Sequence, residues 1–304
     1  MKKALLVLLA LLMLPVWGGA EEMRGYVKKE GYQYVLFGEY PYEKDGTKKP
    51  LLWRVLDVTD DKALLITEDV IDAQQVIFET DPKVIEKRTY RRIASYAESD
   101  LYTWMNTEAL DTLLGENPAR NALVEEPGGG KFFILTSEQF LNTDYGFSAG
   151  MWNEQKSRQA SATPYALKRG VYKDSGIGKC PYWAATLKEE TGYKMQLIGY
   201  NGHLSWGAYT RVNVGLRPSV RLDMTQMEIT GGTGTKKDPF TLSYCGSPVP
   251  VETPAPVEPE ATPVPVEVTE VPVTPSPVPV ATPAPQLEEE EEVYMVIITP
   301  LGGK

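Results

Sequence analysis

One histidine and two cysteines are all the soft or readily titrating side chains this chain offers for chemistry. A Ser-His-Asp or Cys-His relay would have to run through His203. That residue sits in Asn201-Gly202-His203, a hairpin-turn sequence where a solvent-exposed histidine is the simpler expectation. Cys180 and Cys245 are too few, even with His203, for a conventional zinc site without carboxylate help. Glu189 and Glu190 read as a solvated turn, and a glycosidase pair is defined by separation in space rather than along the chain. Gly128-Gly129-Gly130 lacks the lysine, serine and helix of a phosphate-cradling loop. Trp152-Asn153-Glu154 is only faintly similar to a lectin calcium strand and lies in the wrong region of the chain. No catalytic set, metal or cofactor is therefore expected.

What the sequence does concentrate is aromatic rings and amides. Trp183, Tyr200, Asn201, His203, Trp206, Tyr209 and Arg211 fall around the last hairpins. Aromatic faces with amide partners suit sugars or peptide loops, so these seven form the expected ligand-binding surface. The competing expectation is that Trp183 and Trp206 are core, because an alternating strand buries one face.

The elements that must position these residues are legible in the pattern. Tyr32–Phe37 reads as a first strand, and a hairpin follows with Thr59-Asp60-Asp61 as its turn and Ala63–Ile66 as its return. Leu52, Arg54, Leu56 and Val58 are expected on one face of the outgoing strand, with Trp53, Val55 and Asp57 on the other. Lys83–Arg92 reads as a basic loop. Leu101, Trp104 and Met105 predict a helix after Ser99, and Leu110, Leu113 and Leu114 a second, capped by Thr107 and stopped by Gly115. Lys131–Leu135 is expected as a buried strand. Thr163, Pro164 and Gly170 bracket a short helix. From Pro181 onward, residues 182–187, 195–201, 203–209 and 217–223 read as strands, with Asn201-Gly202 the strongest hairpin signal. The fold class is α+β: helices in the middle, and an antiparallel sheet built from both ends.

The chain's ends carry its address. Residues 1–20 have Lys2 and Lys3, an apolar run from Ala4 to Trp17 and Gly18-Gly19-Ala20, a secretory signal peptide cleaved between Ala20 and Glu21. The run is short for a membrane span, so no stable span is expected after cleavage. The globular part is 21–247. Residues 248–292 form a Pro/Thr/Glu-rich disordered spacer holding 13 of the 24 prolines, up to ~100 Å long if fully extended. Residues 293–304 end the chain with a short apolar segment, VYMVII, followed by TPLGGK. The globular part has 28 basic against 31 acidic residues, which gives no field to attract nucleic acid. In an exported chain, Cys180 and Cys245 are expected as a disulfide closing the last third of the domain.

Six blocks then occur in order over about 190 residues: FGEYP, LLWRVLDVTDDKALLITEDVIDAQ, SDLYTWMN, ATPYALKRG, YWAAT and GLRPSVRLD. Together they resemble an uncharacterised bacterial family of domains of unknown function, whose members show FGxYPQ, WRVLD, WLN, WWLRSPG and GVRPALWL motifs, often on secreted or surface proteins. GGTGTKKDPFTL (231–242) is similar to a closing strand of such domains. This chain departs from WWLRSPG at Tyr182–Thr186, where the arginine is missing. The layout further resembles the C-type-lectin-like fold of formylglycine-generating-enzyme relatives, by analogy of architecture alone. Their oxidase chemistry needs a close cysteine pair that Cys180 and Cys245 do not match. The expectation is an exported, non-catalytic binding module for an envelope or host glycan or a protein. Its alternatives are an envelope-directed hydrolase or oxidase, and a structural protein docking through 293–298.

Overall fold

A computed structural model describes residues 22–128 and 130–246. The expected signal peptide with its Ala20-Glu21 cleavage site, the spacer 248–292 and the segment 293–304 lie outside the described residues.

Asp60 and Asp61 both hold positive φ, 51° and 56°. That pair of left-handed residues is what a two-residue hairpin turn requires, and it joins β2 (Lys48–Thr59) to β3 (Lys62–Thr67). β1 (Gln33–Pro41) pairs antiparallel with β2. Trp53, Val55, Ala63 and Leu65 enter one apolar core, while Leu56, Leu64 and Ile66 enter another. The hairpin is thus buried on both faces, which is why its return strand reads as an unbroken apolar run. One expectation fails here. The register shifts between Val55 and Asp57, and this bulge turns Val58 to the Trp53 face rather than the Leu56 face.

β1 carries its own shift between Leu36 and Glu39. Gly38 sits there at φ 62°, and a Cβ on it would stand 2.7 Å from Leu113 Cδ1. The FGEYP block is therefore a contact between strand and helix that only glycine permits. Trp53 Nε1–H donates to Phe37 O (2.8 Å) and Tyr40 O–H to Asp72 Oδ2 (2.9 Å).

α1 (Pro82–Lys87), capped by Asp81, occupies the first half of the stretch expected as a basic loop. The two expected central helices are one. α2 (Asp100–Trp104) continues through a π segment, Met105–Ala109, into α3 (Leu110–Leu114) with right-handed backbone at each junction. Ser99 caps its start. Thr107 cannot cap, because its hydroxyl donates back to Thr103 O inside the helix (2.8 Å). Asn106, in the π segment, accepts from Lys131 N (2.9 Å) and donates to Phe132 O (3.1 Å). It thereby ties the buried stretch 131–135 to the helix; that stretch bridges to Ser219 at Phe133 and accepts from Ala185 N at Leu135 O (2.9 Å), and it forms no full strand. α4 (Pro164–Lys168) is capped by Thr163 as expected.

The remaining strands are β4 (Asp72–Ala73), β5 (Leu123–Val124), β6 (Tyr182–Leu187), β7 (Lys194–Ile198), β8 (Leu204–Ala208), β9 (Gly215–Leu216), β10 (Ser219–Asp223), β11 (Met227–Gly231) and β12 (Phe240–Tyr244). They complete two sheets, ordered β11-β12-β1-β2-β3-β10-β5 and β4-β9-β6-β7-β8. The first is built from both ends of the domain, as expected. Both are mixed rather than antiparallel, because β12 runs parallel to β1 and β6 parallel to β9. With short helices between strand-rich ends, the architecture is α+β and mostly sheet.

Candidate binding cleft

The β7–β8 connection turns over residues 199–203, closed by Gly199 N–H on His203 O (2.8 Å) and Gly202 N–H on Gly199 O (2.8 Å). Gly202 holds φ 86°, and a Cβ there would lie 2.1 Å from Gln155 O. The Asn201-Gly202 signal thus does two things: it permits the left-handed turn and lets a second loop press against it. That loop is fixed by Gln155 N–H to Asn201 O (2.8 Å) and by Leu204 N–H to Met151 O (3.0 Å).

Arg158 holds the two together. Fully buried, it donates from Nε to Gly202 O (2.7 Å), from Nη1 to Phe140 O (3.2 Å) and Ser148 O, and from Nη2 to Gly150 O. Tyr182 O–H in turn donates to Arg158 O. Four carbonyls surround this guanidinium, with no carboxylate of the described residues in contact, and burial pulls its pKa below the usual arginine value.

Beside this clamp, Tyr172 N–H donates to Asn213 O (3.0 Å) and Gly215 N–H to Pro181 O (2.9 Å), which ties the segments 172–181 and 209–215 to each other. Between them opens a cleft of about 260 Å³, lined among others by Tyr172, Tyr200, His203, Ser205, Arg211 and Asn213. The Tyr172 and Tyr200 rings stand 6.0 Å apart at 56°, and both are exposed (44 % and 37 %). Trp152 is 68 % exposed on the loop that Gly202 admits. His203 is held below the ordinary histidine range, first by burial and then by the Arg158 charge, so its ring is neutral near pH 7. Its Nδ1 meets Asn201 Oδ1.

The seven residues expected to bind ligand therefore divide. Tyr200, His203 and Arg211 line the cleft. Asn201 faces its own turn and orients His203. Trp206 is half-buried under the Lys188 ammonium, 5.8 Å from its ring centre, and is not among the cleft residues. Trp183 and Tyr209 are fully buried. Trp183 points from β6 into the first apolar core; its indole N–H donates to Gln74 O (3.0 Å), and Gly207 leaves room for its ring. Tyr209 packs 6.2 Å from Tyr90. Sequence reasoning missed Tyr172, Ser205, Asn213 and Arg158. The loops carrying Tyr172 and Asn213 have no periodicity to flag them, and KSRQ reads like any exposed basic turn.

The expected disulfide is not formed: both cysteines are free. Cys180 is buried in the second core, where burial pushes its thiol up to about 11. Its backbone is engaged by Ala160. Cys245 is exposed beyond β12, with its amide on Gln226 O, so the two belong to different sheets' surroundings. Among the described residues, no three His, Cys, Asp or Glu side chains converge as they would around a metal ion. No helix among them is long and apolar enough to cross a membrane.

No family model, curated protein or solved structure matches the chain. The cleft must be read from its own chemistry.

Proposed function

We propose that this is an exported, non-catalytic binding module of C-type-lectin-like fold, taking a carbohydrate or a protein of the cell envelope or of a host at the Tyr172–Tyr200 cleft. The observation that carries the reading is the cleft itself: two exposed, mutually tilted rings with an amide, a hydroxyl, a neutral imidazole and a guanidinium around them. Exposed aromatic faces with hydrogen-bonding neighbours bind sugar rings and peptide segments, while an enclosed apolar pocket would select other ligands. The fold assignment draws on the six ordered sequence blocks, whose Gly38, Trp53, Asn106 and Arg217 all serve the architecture. Arg217, fully buried, donates to Thr67 O (2.7 Å) and Tyr182 Oη (3.3 Å).

Titration of the purified protein against isolated cell walls and a glycan panel, with and without calcium, tests the proposal. Saturable binding that weakens at least about tenfold in Tyr200→Ala, and is unchanged in Trp206→Ala, is expected from loss of a stacking ring. Absence of binding to any of these materials overturns the carbohydrate form of the reading.

The enzymatic alternative has one specific foothold. Asp69 lines a second pocket of about 260 Å³ with Tyr42 and Thr163. Burial, and then the Glu68 charge, raise its carboxyl above the ordinary range. A glycosidase would need a second carboxyl about 5–10 Å away across the bound sugar. Neighbouring Glu68 is instead locked to Arg54 and Lys236 and does not line that pocket. Cell-wall hydrolysis abolished by Asp69→Asn would revive this alternative.

A further inference from the structure

We infer that the Tyr172–Tyr200 cleft selects a saccharide bearing a carboxylate, with Arg211 as the residue that sets this selectivity. The inference rests on the binding-module reading above and names the ligand class of the same site.

Three observations point the same way. Arg211 lines the cleft and is solvent-exposed. Its backbone is fixed by an N–H bond to Ala208 O (3.1 Å), and among the described residues its guanidinium has no ion-pair, hydrogen-bond or ring partner. This sets it apart from the arginines at positions 54, 158 and 217, each of which is occupied in holding elements together. The planar fork of an unoccupied guanidinium is matched by a carboxylate, which it can grip through two parallel hydrogen bonds.

The second observation is the charge of the rest of the lining. His203 is neutral near pH 7, and Ser205 and Asn213 are uncharged side chains; among the described residues that line the cleft, Arg211 brings the formal positive charge. Asp174 is the acid beside the Tyr172 hydroxyl. Its carboxylate already accepts from Gly176 N (3.0 Å) and Ile177 N (2.8 Å). It is engaged by its own turn and leaves Arg211 unanswered.

The third is size and surface. About 260 Å³ lies below the range of roughly 300–1,000 Å³ typical of drug-sized ligands. That suits one or two sugar rings laid against Tyr200 and Tyr172, with hydroxyls on Ser205, Asn213 and His203. A peptide side chain would want a deeper apolar socket than this open, mixed lining provides.

The test uses the purified protein with three probes: a galacturonic acid trimer, the neutral galactose trimer, and triglutamate. Calorimetry is run on wild type, Arg211→Gln and Tyr200→Ala, with thermal melts to confirm that each variant folds. Wild type is expected to favour the acidic trimer by about tenfold or more, the scale of one charge-assisted bidentate contact. Arg211→Gln should erase that preference by lowering the affinity for the acidic trimer about tenfold more than that for the neutral one. Tyr200→Ala should weaken both. Equal wild-type affinity for the two trimers, both lost in Tyr200→Ala, would overturn the inference and leave the binding cleft standing. Triglutamate bound as well as the acidic trimer would overturn the saccharide assignment. Binding of neither trimer, with Tyr200→Ala indistinguishable from wild type, would remove the carbohydrate reading and the inference together.

Discussion

Arg54 and Arg158 are both withdrawn from water, yet they answer their charge in different ways. Arg54, on β2, meets Glu68 through Nε and through Nη2 (3.0 Å), and Lys236 reaches the same carboxylate from the loop before β12 (2.6 Å). Burial opposes the Arg54 charge, but the Glu68 bonds outweigh it and hold the arginine above its usual value. Burial would likewise raise Glu68, and Arg54 overrides it, drawing the carboxyl down to about 2. Arg158 has only carbonyl dipoles around it, and its charge is correspondingly less favoured. One region is held by formal charge, so pH and salt can reach it. The other is held by the positions of three loops, and only changes in shape can reach it.

The largest effect should come from Arg158→Met. It orphans four buried or half-buried carbonyls and unties the hairpin tip from loop 148–155, costing about 3–5 kcal/mol. Denaturant unfolding would measure the loss, and faster hydrogen exchange at the Gln155 amide would locate it. A change below about 1 kcal/mol would mean that the clamp is redundant.

Next comes the carboxylate. The Glu68 carboxyl in the folded protein lies below its unfolded value of 4.5. Its ionised form therefore stabilises the fold above that value. The contribution, about 3 kcal/mol, is lost as pH falls from 4.5 through about 2. Unfolding measured across this window should be steep for wild type and flatter for Glu68→Gln, while Arg158→Met should keep the wild-type slope. An identical slope in Glu68→Gln would mean that other carboxylates govern acid stability.

The smallest effect belongs to Lys236→Met. With its side chain 57 % exposed, its share of the network should be at most about 1 kcal/mol and should shrink with added salt. A larger loss, insensitive to salt, would show that the 232–239 loop and not the charge is what Lys236 secures.

How far the sequence reached follows the same division. Period-2 runs, the Asp60-Asp61 turn, the Thr163–Gly170 helix and the Asn201-Gly202 hairpin were all legible, since local propensity and tertiary structure agree there. The joined central helix was not, because Thr107 makes the hydrogen bond of an interior residue while its type suits a cap. Val58 was misplaced by a bulge that leaves no mark in composition. At the cleft, Tyr200, His203 and Arg211 were legible because they crowd around a strong turn. Trp183 and Tyr209 looked alike in sequence and proved to be core, since facing depends on which neighbours cover a strand. Arg158 was invisible: nothing about an arginine in a polar loop announces four carbonyl partners from segments up to 44 residues away. The disulfide expectation failed for a related reason, because spacing along the chain says nothing about which sheet each thiol adjoins.

The pairing of β1 with β12 has a mechanical consequence. The strands run parallel, with Val35 opposite Phe240 and Leu36 opposite Thr241. Tension drawn between Gln33 and Tyr244 would therefore act along both strands and strain those contacts at the same moment, where an antiparallel pair pulled from adjacent ends would peel open rung by rung. β12 is flanked by β11 on its other side, so the load would pass into two ladders at once. The closing strand is built to take strain lengthwise.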